Sequence, residues 1–287
     1  MSIVITGATG QLGTLVVKEL LGRGVPATEI VAAGRSVQKL AELEELGVRT
    51  AEIDYDQPAS IEAAFNAGDT VLLISGNDIV RRREQHKAVI EAAGRAGVGH
   101  LAYTSVLQAD STPLVLAPDH ADAEKHIKAS GIPFTLLRHG WYTENYVPTL
   151  QQAAATGAVL ASAGDGRVAS ATRADYAAAI ATVLTTPGHL GAIYELSGDY
   201  AWDFNELADA IASVVGREVS YTPLDAEEHV AVLQEAGLDA QTAGFVAALD
   251  GNIRDGALAH VTGELSRLAG RPTTPLVDGL RPYASAN

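Results

Sequence analysis

Apolar and polar positions along the chain fall into two regimes. Over the first 138 residues, short apolar or β-branched runs (3–6, 30–33, 49–53, 70–75, 100–104 and 134–138) alternate with stretches of helical spacing (11–21, 37–46, 60–65, 81–96 and 120–130). Strands and helices taking turns in this way predict βαβ units. Right-handed crossovers then place helices on both faces of a doubly wound parallel sheet. Beyond residue 139 the rhythm changes. Helical stretches at 173–184, 204–214, 226–236 and 240–249 are separated by isolated strand candidates at 193–196 and 218–221. The expected fold is therefore α/β. A sheet domain spans 1–139, and a smaller mixed α/β lobe over 140–287 packs on the C-terminal edge of the sheet or interleaves with it. No linker rich in proline and glycine divides the two, so a shared interface is expected.

Composition narrows the class without changing the fold. The 287 residues are 47% hydrophobic and 19% charged, an ordinary globular balance, with only 5% aromatics and 28 glycines that favour close helix-on-sheet packing. Thirty-five acids against 20 bases give a net charge of −15, which repels a polyanion, so nucleic acid is not an expected partner. The absence of cysteine removes disulfides, thiolate nucleophiles and cysteine–zinc sites. No basic stretch and apolar core precede Ile3-Val4-Ile5, and no apolar run approaches the ~20 residues of a membrane span. The expectation is a soluble cytoplasmic protein, monomer or homodimer, with disorder confined to residues 284–287.

The first strand runs into Thr6-Gly7-Ala8-Thr9-Gly10-Gln11-Leu12-Gly13, which opens the first helix. Glycines let the backbone turn and approach a pyrophosphate, while the helix start offers free N–H groups and a positive dipole end. The G-x-x-G-x-x-G spacing is one residue longer than the commonest dinucleotide fingerprint, but its strand–turn–helix setting is the required one. A dinucleotide-binding Rossmann sheet follows, with Gly7, Thr9, Gly10, Gln11 and Leu12 at the phosphates. An NAD site places an acid at the end of the second strand; this chain has Gly34-Arg35-Ser36, with Lys39 a turn later. Arginine pairs bidentately with a 2′-phosphate and stacks on adenine, so NADPH is the expected cofactor. Asp54 either accepts from the adenine amino group or caps the next helix. Ser75, Gly76 and Asn77 fall at the tip of the fourth strand, where such sheets hold ligand. His86, on the following helix, faces either the cleft or solvent.

Tyr103, Thr104 and Ser105 end the fifth strand, and His120-x-x-x-Glu124-Lys125 lies on the next helix. That layout is similar to the short-chain dehydrogenase/reductase plan, in which a serine or threonine works with a Tyr-x-x-x-Lys helix. The resemblance implies that Lys125 holds the nicotinamide ribose. Four residues before it stands Ala121, so the usual proton-donating tyrosine is missing. Hydride delivered to a ketone makes an alkoxide that needs a positioned acid. Delivered to a quinone it makes a delocalised phenolate that water protonates, and delivered to a dye carbocation it needs no proton. His120 and Tyr142 are the substitute donors if a carbonyl is the acceptor. His120 and Glu124 could also face a metal, but no third ligand accompanies them. After the sixth strand come His139, Gly140, Trp141, Tyr142, Glu144, Asn145 and Tyr146. Here Gly140 allows backbone approach to the nicotinamide, and three aromatics offer a wall for a flat substrate or pack in the core.

Taken together, GATGQLG, GRS, ISGN, YTSVL, the H-x-x-x-EK helix and LLRHGWYTENY resemble the NmrA-like group of atypical short-chain dehydrogenases. Within that group the pattern is most similar to the type 2 NAD(P)H:quinone oxidoreductases, and triphenylmethane dye reductases share most of it. The likeness extends to TRADY at 172–176 and WDFNELA at 202–208. It implies cofactor contacts at Gly7, Gly10, Gln11, Leu12, Arg35, Ser75, Gly76, the 139–144 segment and Arg173. The implied activity is NADPH-dependent reduction of a quinone-like aromatic. Reduction of dyes, carbonyls or imines, and dinucleotide sensing without turnover, are the competing readings.

Overall fold

Each apolar run of the first 138 residues becomes a strand in the computed structural model, which describes residues 1–284. Of the tail expected to be disordered, residues 285–287 lie outside the described residues. The strands are β1 (Ile3–Ile5), β2 (Ile30–Gly34), β3 (Arg49–Glu52), β4 (Thr70–Leu73), β5 (His100–Val106) and β6 (Phe134–His139). Between them run α1 (Gln11–Gly22), α2 (Val37–Glu44), α3 (Pro58–Ala64), α4 (Arg82–Ala96) and α5 (Ala117–Ala129). The last of these starts three residues before the expected 120 because Pro118, lacking an N–H to lose, sits in its first turn. β1 pairs in parallel with β2 on one side and β4 on the other. The winding direction therefore reverses between β1 and β4, and a crevice opens at their carboxyl ends.

The remaining chain is woven into this sheet. It forms β7 (Trp141–Tyr142), α6 (Val147–Thr156), β8 (Ala158–Ala161), β9 (Ser170–Ala171), α7 (Arg173–Thr185) and β10 (Ile193–Leu196). It then continues through α8 (Phe204–Val215), β11 (Ser220–Pro223), α9 (Ala226–Glu235), α10 (Ala240–Arg254), α11 (Glu264–Ala269) and α12 (Leu276–Leu280). The strand expected to be isolated at 193–196 is the seventh of the main sheet, whose order is β10-β6-β5-β4-β1-β2-β3. α7 explains the return. Its residues Tyr176, Ala177, Ala178, Ala179, Ile180 and Ala181 are all buried, and a helix that is apolar all round must be covered on every side. It shares one core with Val16, Val17 and Leu20 of α1. The outer edge of β10 is closed by side chains: the Glu195 amide donates to Glu264 at 2.8 Å, and the Thr262 hydroxyl donates to the Glu195 carbonyl. A second core, around Tyr146, Leu150, Trp202, Phe204 and Leu280, joins the later elements to Val106 of β5 and Ala117 of α5. Among the described residues no helix is long and apolar enough to cross a membrane.

One buried ion cluster ties the two parts together. Arg138 of β6 grips Glu124 of α5 bidentately (2.8 and 2.7 Å) and reaches Glu195 of β10 at 2.8 Å, while the Ser105 hydroxyl donates to Glu124 at 2.7 Å. Burial raises the Glu124 pKa, but the bonds from Arg138 and Ser105 outweigh that and hold it below the usual carboxylate range. Stability from this group is thus present above the unfolded value of about 4.3 and is lost as pH falls through the lowered folded value. Removing the arginine leaves the buried carboxylate with only Lys128 (3.2 Å) and the Ser105 hydroxyl as partners. Arg138→Ala should cost ~3–5 kcal/mol at neutral pH. That loss should shrink toward pH ~4, where a protonated Glu124 needs no cation. Urea unfolding at both pH values checks the two parts.

Candidate active site

The crevice begins at the loop between β1 and α1. Gly7 sits at φ +64°, a left-handed conformation that glycine adopts without a steric penalty. At Gly13 a Cβ would stand 2.3 Å from the Gly7 carbonyl oxygen, so the helix can start this close to the loop only with glycine there. No side chain caps α1 at Gly10. Its first-turn amides therefore face the crevice with their hydrogen-bonding capacity unused by a cap. The resulting cleft, about 930 Å³, is lined here by Gly7, Thr9, Gly10, Gln11 and Leu12. From this centre it extends toward the tips of β2 and β3 in one direction and toward β6 in the other.

At the β2 end Arg35 and Lys39 line the cleft and are exposed, with no acid at the strand tip. Asp54 also lines it, and its carboxylate takes the Asp56 amide (3.1 Å) and the Gln57 side chain (3.2 Å), so it braces its own turn. Tyr55 escaped sequence reasoning, since a lone tyrosine after a strand carries no signal. Its hydroxyl donates to Thr6 at 2.5 Å, and burial pushes its pKa up to about 12.

In the middle of the cleft, Ser75, Gly76 and Asn77 form a lip whose backbone is pinned from below. The Ser75 amide donates to the Thr104 hydroxyl at 2.9 Å. Both sides of Gly76 are taken by α4: its amide donates to Nε2 of His86 (3.0 Å) and its carbonyl accepts from Nε of Arg82 (2.8 Å). A backbone amide can only donate, so Nε2 of His86 is an acceptor. Burial, helped by the nearby His120 and Arg82, lowers the His86 pKa to about 3, so the neutral ring carries its proton on Nδ1. That proton faces Tyr103 Oη at 3.3 Å, and Tyr103 in turn donates to Nδ1 of His120 at 2.8 Å. His86 thus faces neither cleft nor solvent. Because this chain ends at a peptide N–H, it delivers no proton to the cleft.

Several expected site residues are accordingly misplaced. His120 is buried behind the lip, its pKa lowered to about 3 by burial and by Arg82, and it cannot serve as the acid. Successive strand residues point to opposite faces, so Tyr103 and Ser105 turn toward α4 and α5 while Thr104 alone reaches the lip. Lys125 is exposed on α5, whose buried positions are Ala117, His120, Ala123, Glu124 and Ile127. The 3.6-residue period that buries Glu124 turns Lys125 to solvent, so it lies outside the cleft lining.

At the β6 end, Tyr142, Glu144, Arg173 and Tyr283 line the cleft. The Tyr142 ring carries the Arg173 guanidinium over its face at 4.4 Å, and its hydroxyl lies 2.9 Å from Nδ1 of His139. His139 itself is buried behind Tyr142, stacked on Tyr176 at 4.4 Å, and burial drives its pKa to about 3. Burial also raises the Tyr142 phenol, against the pull of Arg173. Glu144 accepts the Arg173 backbone amide (2.9 and 3.1 Å), and Asn145 accepts from Nη2 of Arg173 at 3.0 Å. Nη1 of Arg173 makes no hydrogen bond but lies 3.4 Å from the Glu144 carboxylate as an ion pair. An uncapped helix start and two exposed cations fit a dinucleotide.

The aromatic wall does not assemble as expected. Trp141 packs against the second core, and Tyr146 is buried edge-on to Trp202 at 4.8 Å, leaving only Tyr142 of the three in the cleft. Gly140 serves the sheet: its amide donates to the Leu196 carbonyl at 2.7 Å, and a Cβ there would approach that oxygen to 3.2 Å. Tyr283 had no signal in the sequence, being remote from every motif.

Comparison with known proteins agrees with this geometry. A family model described as NAD(P)H-binding matches residues 7–187. Quinone oxidoreductase 2 of Escherichia coli is 42% identical over 285 residues, covering 99% of each chain. The crystal structure of an E. coli NADPH-dependent quinone oxidoreductase complexed with NADPH superposes with a TM-score of 0.93 at 43% identity, over 97% of this chain and 98% of that one. The Citrobacter sp. triphenylmethane reductase complexed with NADP(H) also reaches 0.93, at 38% identity over 98% and 100%. With a glycine loop, an uncapped α1 and full-length likeness of this order, the chain belongs to the NAD(P)H-binding oxidoreductase family that includes quinone oxidoreductase 2.

Proposed function

We propose that the chain is an NADPH-dependent reductase that passes hydride to an electron-poor aromatic acceptor, a quinone before any other. The carrying observation is one cleft that joins a cationic end at Arg35 and Lys39, past the uncapped start of α1, to a reducing end at Tyr142. The α1 amides suit a pyrophosphate, and Arg35 and Lys39 a 2′-phosphate. Bound NADPH supplies the hydride. The acceptor's second oxygen then needs one proton, which a delocalised phenolate takes from water.

The residues at the reducing end give this step one further donor. Nε2 of His139 is buried without a partner. An orphaned buried N–H is rarer and costlier than an orphaned lone pair, so the His139 proton belongs on Nδ1. It is then donated to Tyr142 Oη, and the phenolic hydrogen is left to point at whatever occupies the cleft. Tyr142 therefore stays protonated and polarises an acceptor oxygen, while His139 orients it. Reduction of a triarylmethane cation is a second reading, supported by the 38% identity to triphenylmethane reductase.

NADPH oxidation followed against quinones, triarylmethane dyes, aldehydes and imines tests the reading. Turnover is expected with quinones; dye turnover alone would move the assignment to the second reading, and tight NADPH binding with no acceptor would indicate a sensor. Tyr142→Phe should slow quinone turnover by less than about tenfold, since water remains an alternative proton source. Arg35→Ala should raise the NADPH KM roughly tenfold to a hundredfold and leave NADH nearly untouched. An unchanged preference in steady-state kinetics would remove Arg35 from cofactor selection.

A further inference from the structure

We propose that Tyr283, delivered by the C-terminal turn, is the wall against which a planar acceptor lies and a determinant of which acceptors fit. The inference rests on the reductase reading for its substrate class, and on the architecture for its position. α12 and the turn Arg281–Tyr283 are held in place by the second core, in which Leu280 is fully buried. Gly279 is pressed onto the segments that flank the reducing end: a Cβ there would stand 2.9 Å from Cγ2 of Thr172 and 3.0 Å from Cγ2 of Thr143. Thr143 and Thr172 directly precede Glu144 and Arg173. The turn thus keeps a fixed relation to those two cleft residues, and Tyr283 reaches the same cleft half-buried.

Burial raises the Tyr283 phenol and Glu144 adds to it while Arg173 opposes, which places the hydroxyl within the fields of both. The other aromatic of the reducing end is already engaged, since Tyr142 lies under Arg173 and edge-on to Tyr176 at 5.1 Å. Among the described residues no ring or cation stacks on Tyr283, so no such partner competes with a ligand for the ring that lines the cleft. Groups suited to the phosphates and adenosine belong to the loop, β2 and β3, far along the cleft from the C-terminal turn. A ring brought in by the second lobe, opposite the strand tips, meets what lies on the nicotinamide and not the dinucleotide's phosphates. Flat, electron-poor rings gain most from such a partner.

Binding of a naphthoquinone to the NADP⁺-saturated protein, measured by calorimetry, tests this apart from turnover. Tyr283→Ala should weaken that binding roughly tenfold, and Tyr283→Phe should match the wild type, because the ring face and not the hydroxyl carries the contact. NADPH binding by fluorescence titration should stay within about twofold in both variants. In kinetics, Tyr283→Ala should raise quinone KM and favour bulkier acceptors. Equal naphthoquinone binding in wild type and Tyr283→Ala, or a loss matched in NADPH binding, would overturn the proposal. So would a wild type that binds no naphthoquinone. Tyr283-dependent binding without turnover would instead defeat the reductase reading and leave the wall standing.

Discussion

The contact on which the molecule's function turns is the approach of the α1 start to its own loop, Gly13 lying against the Gly7 carbonyl with no room for a Cβ. The N-cap residue, Gly10, has no side chain to offer, so the first-turn amides stay uncapped at the point where the sheet reverses its winding. A cap would satisfy those donors and stabilise the helix alone. Left open, they form a fixed positive site at the carboxyl ends of β1 and β4, and every other cleft residue is placed relative to it. The later part of the chain secures this helix from behind, since the buried apolar run 176–181 of α7 packs along it in a common core.

The second theme is rigidity achieved from beneath. The Gly76 peptide spends its N–H on His86 and its carbonyl on Arg82, so the lip beside the phosphate loop is held before any ligand arrives. His86, Tyr103 and His120 look like catalytic residues by type, yet their hydrogen bonds run into the protein and begin at a peptide that cannot exchange roles. Glu124 and Arg138 behave likewise, two buried charges spent on joining β5, β6, α5 and β10. Preorganisation of this kind lowers the ordering cost of binding, and it uses polar groups that a motif search would assign to chemistry.

The reducing end is correspondingly sparse. Tyr142 is held by His139, Tyr176 and Arg173, and the carboxylate beside it, Glu144, is occupied by the Arg173 amide. Among the described residues no free carboxylic acid lines this end, and burial raises the Tyr142 phenol, which leaves a weaker set of proton donors than an alkoxide calls for. Acceptors whose reduced forms are stable anions, or neutral, suit such a site.

Much of this was legible in the residues themselves. Periodicity marked five of the six strands because a parallel sheet buried on both faces demands continuous apolar runs, while β3, at the sheet edge, is polar and partly exposed and was marked by its place in the alternation. The glycine loop and Arg35 were readable because a phosphate site is built from backbone and charge contiguous in sequence. Lys125 misled because a motif matched by spacing ignores helical phase: α5 buries Glu124, and the neighbouring position points to solvent. Ser105 and Tyr103 misled for the analogous reason in a strand. Gly140 and β10 became intelligible only together, since the glycine's tightness is set by a strand more than fifty residues later. Tyr283 lies at the far extreme, carried into the cleft by the packing of Leu280 and Gly279. Local sequence, then, determined the elements and the nucleotide end. At the reducing end the sequence pointed to Tyr142, the 139–144 segment and Arg173, but tertiary packing decided which of their side chains face the cleft and added Tyr283, because these walls come from segments far apart in the chain.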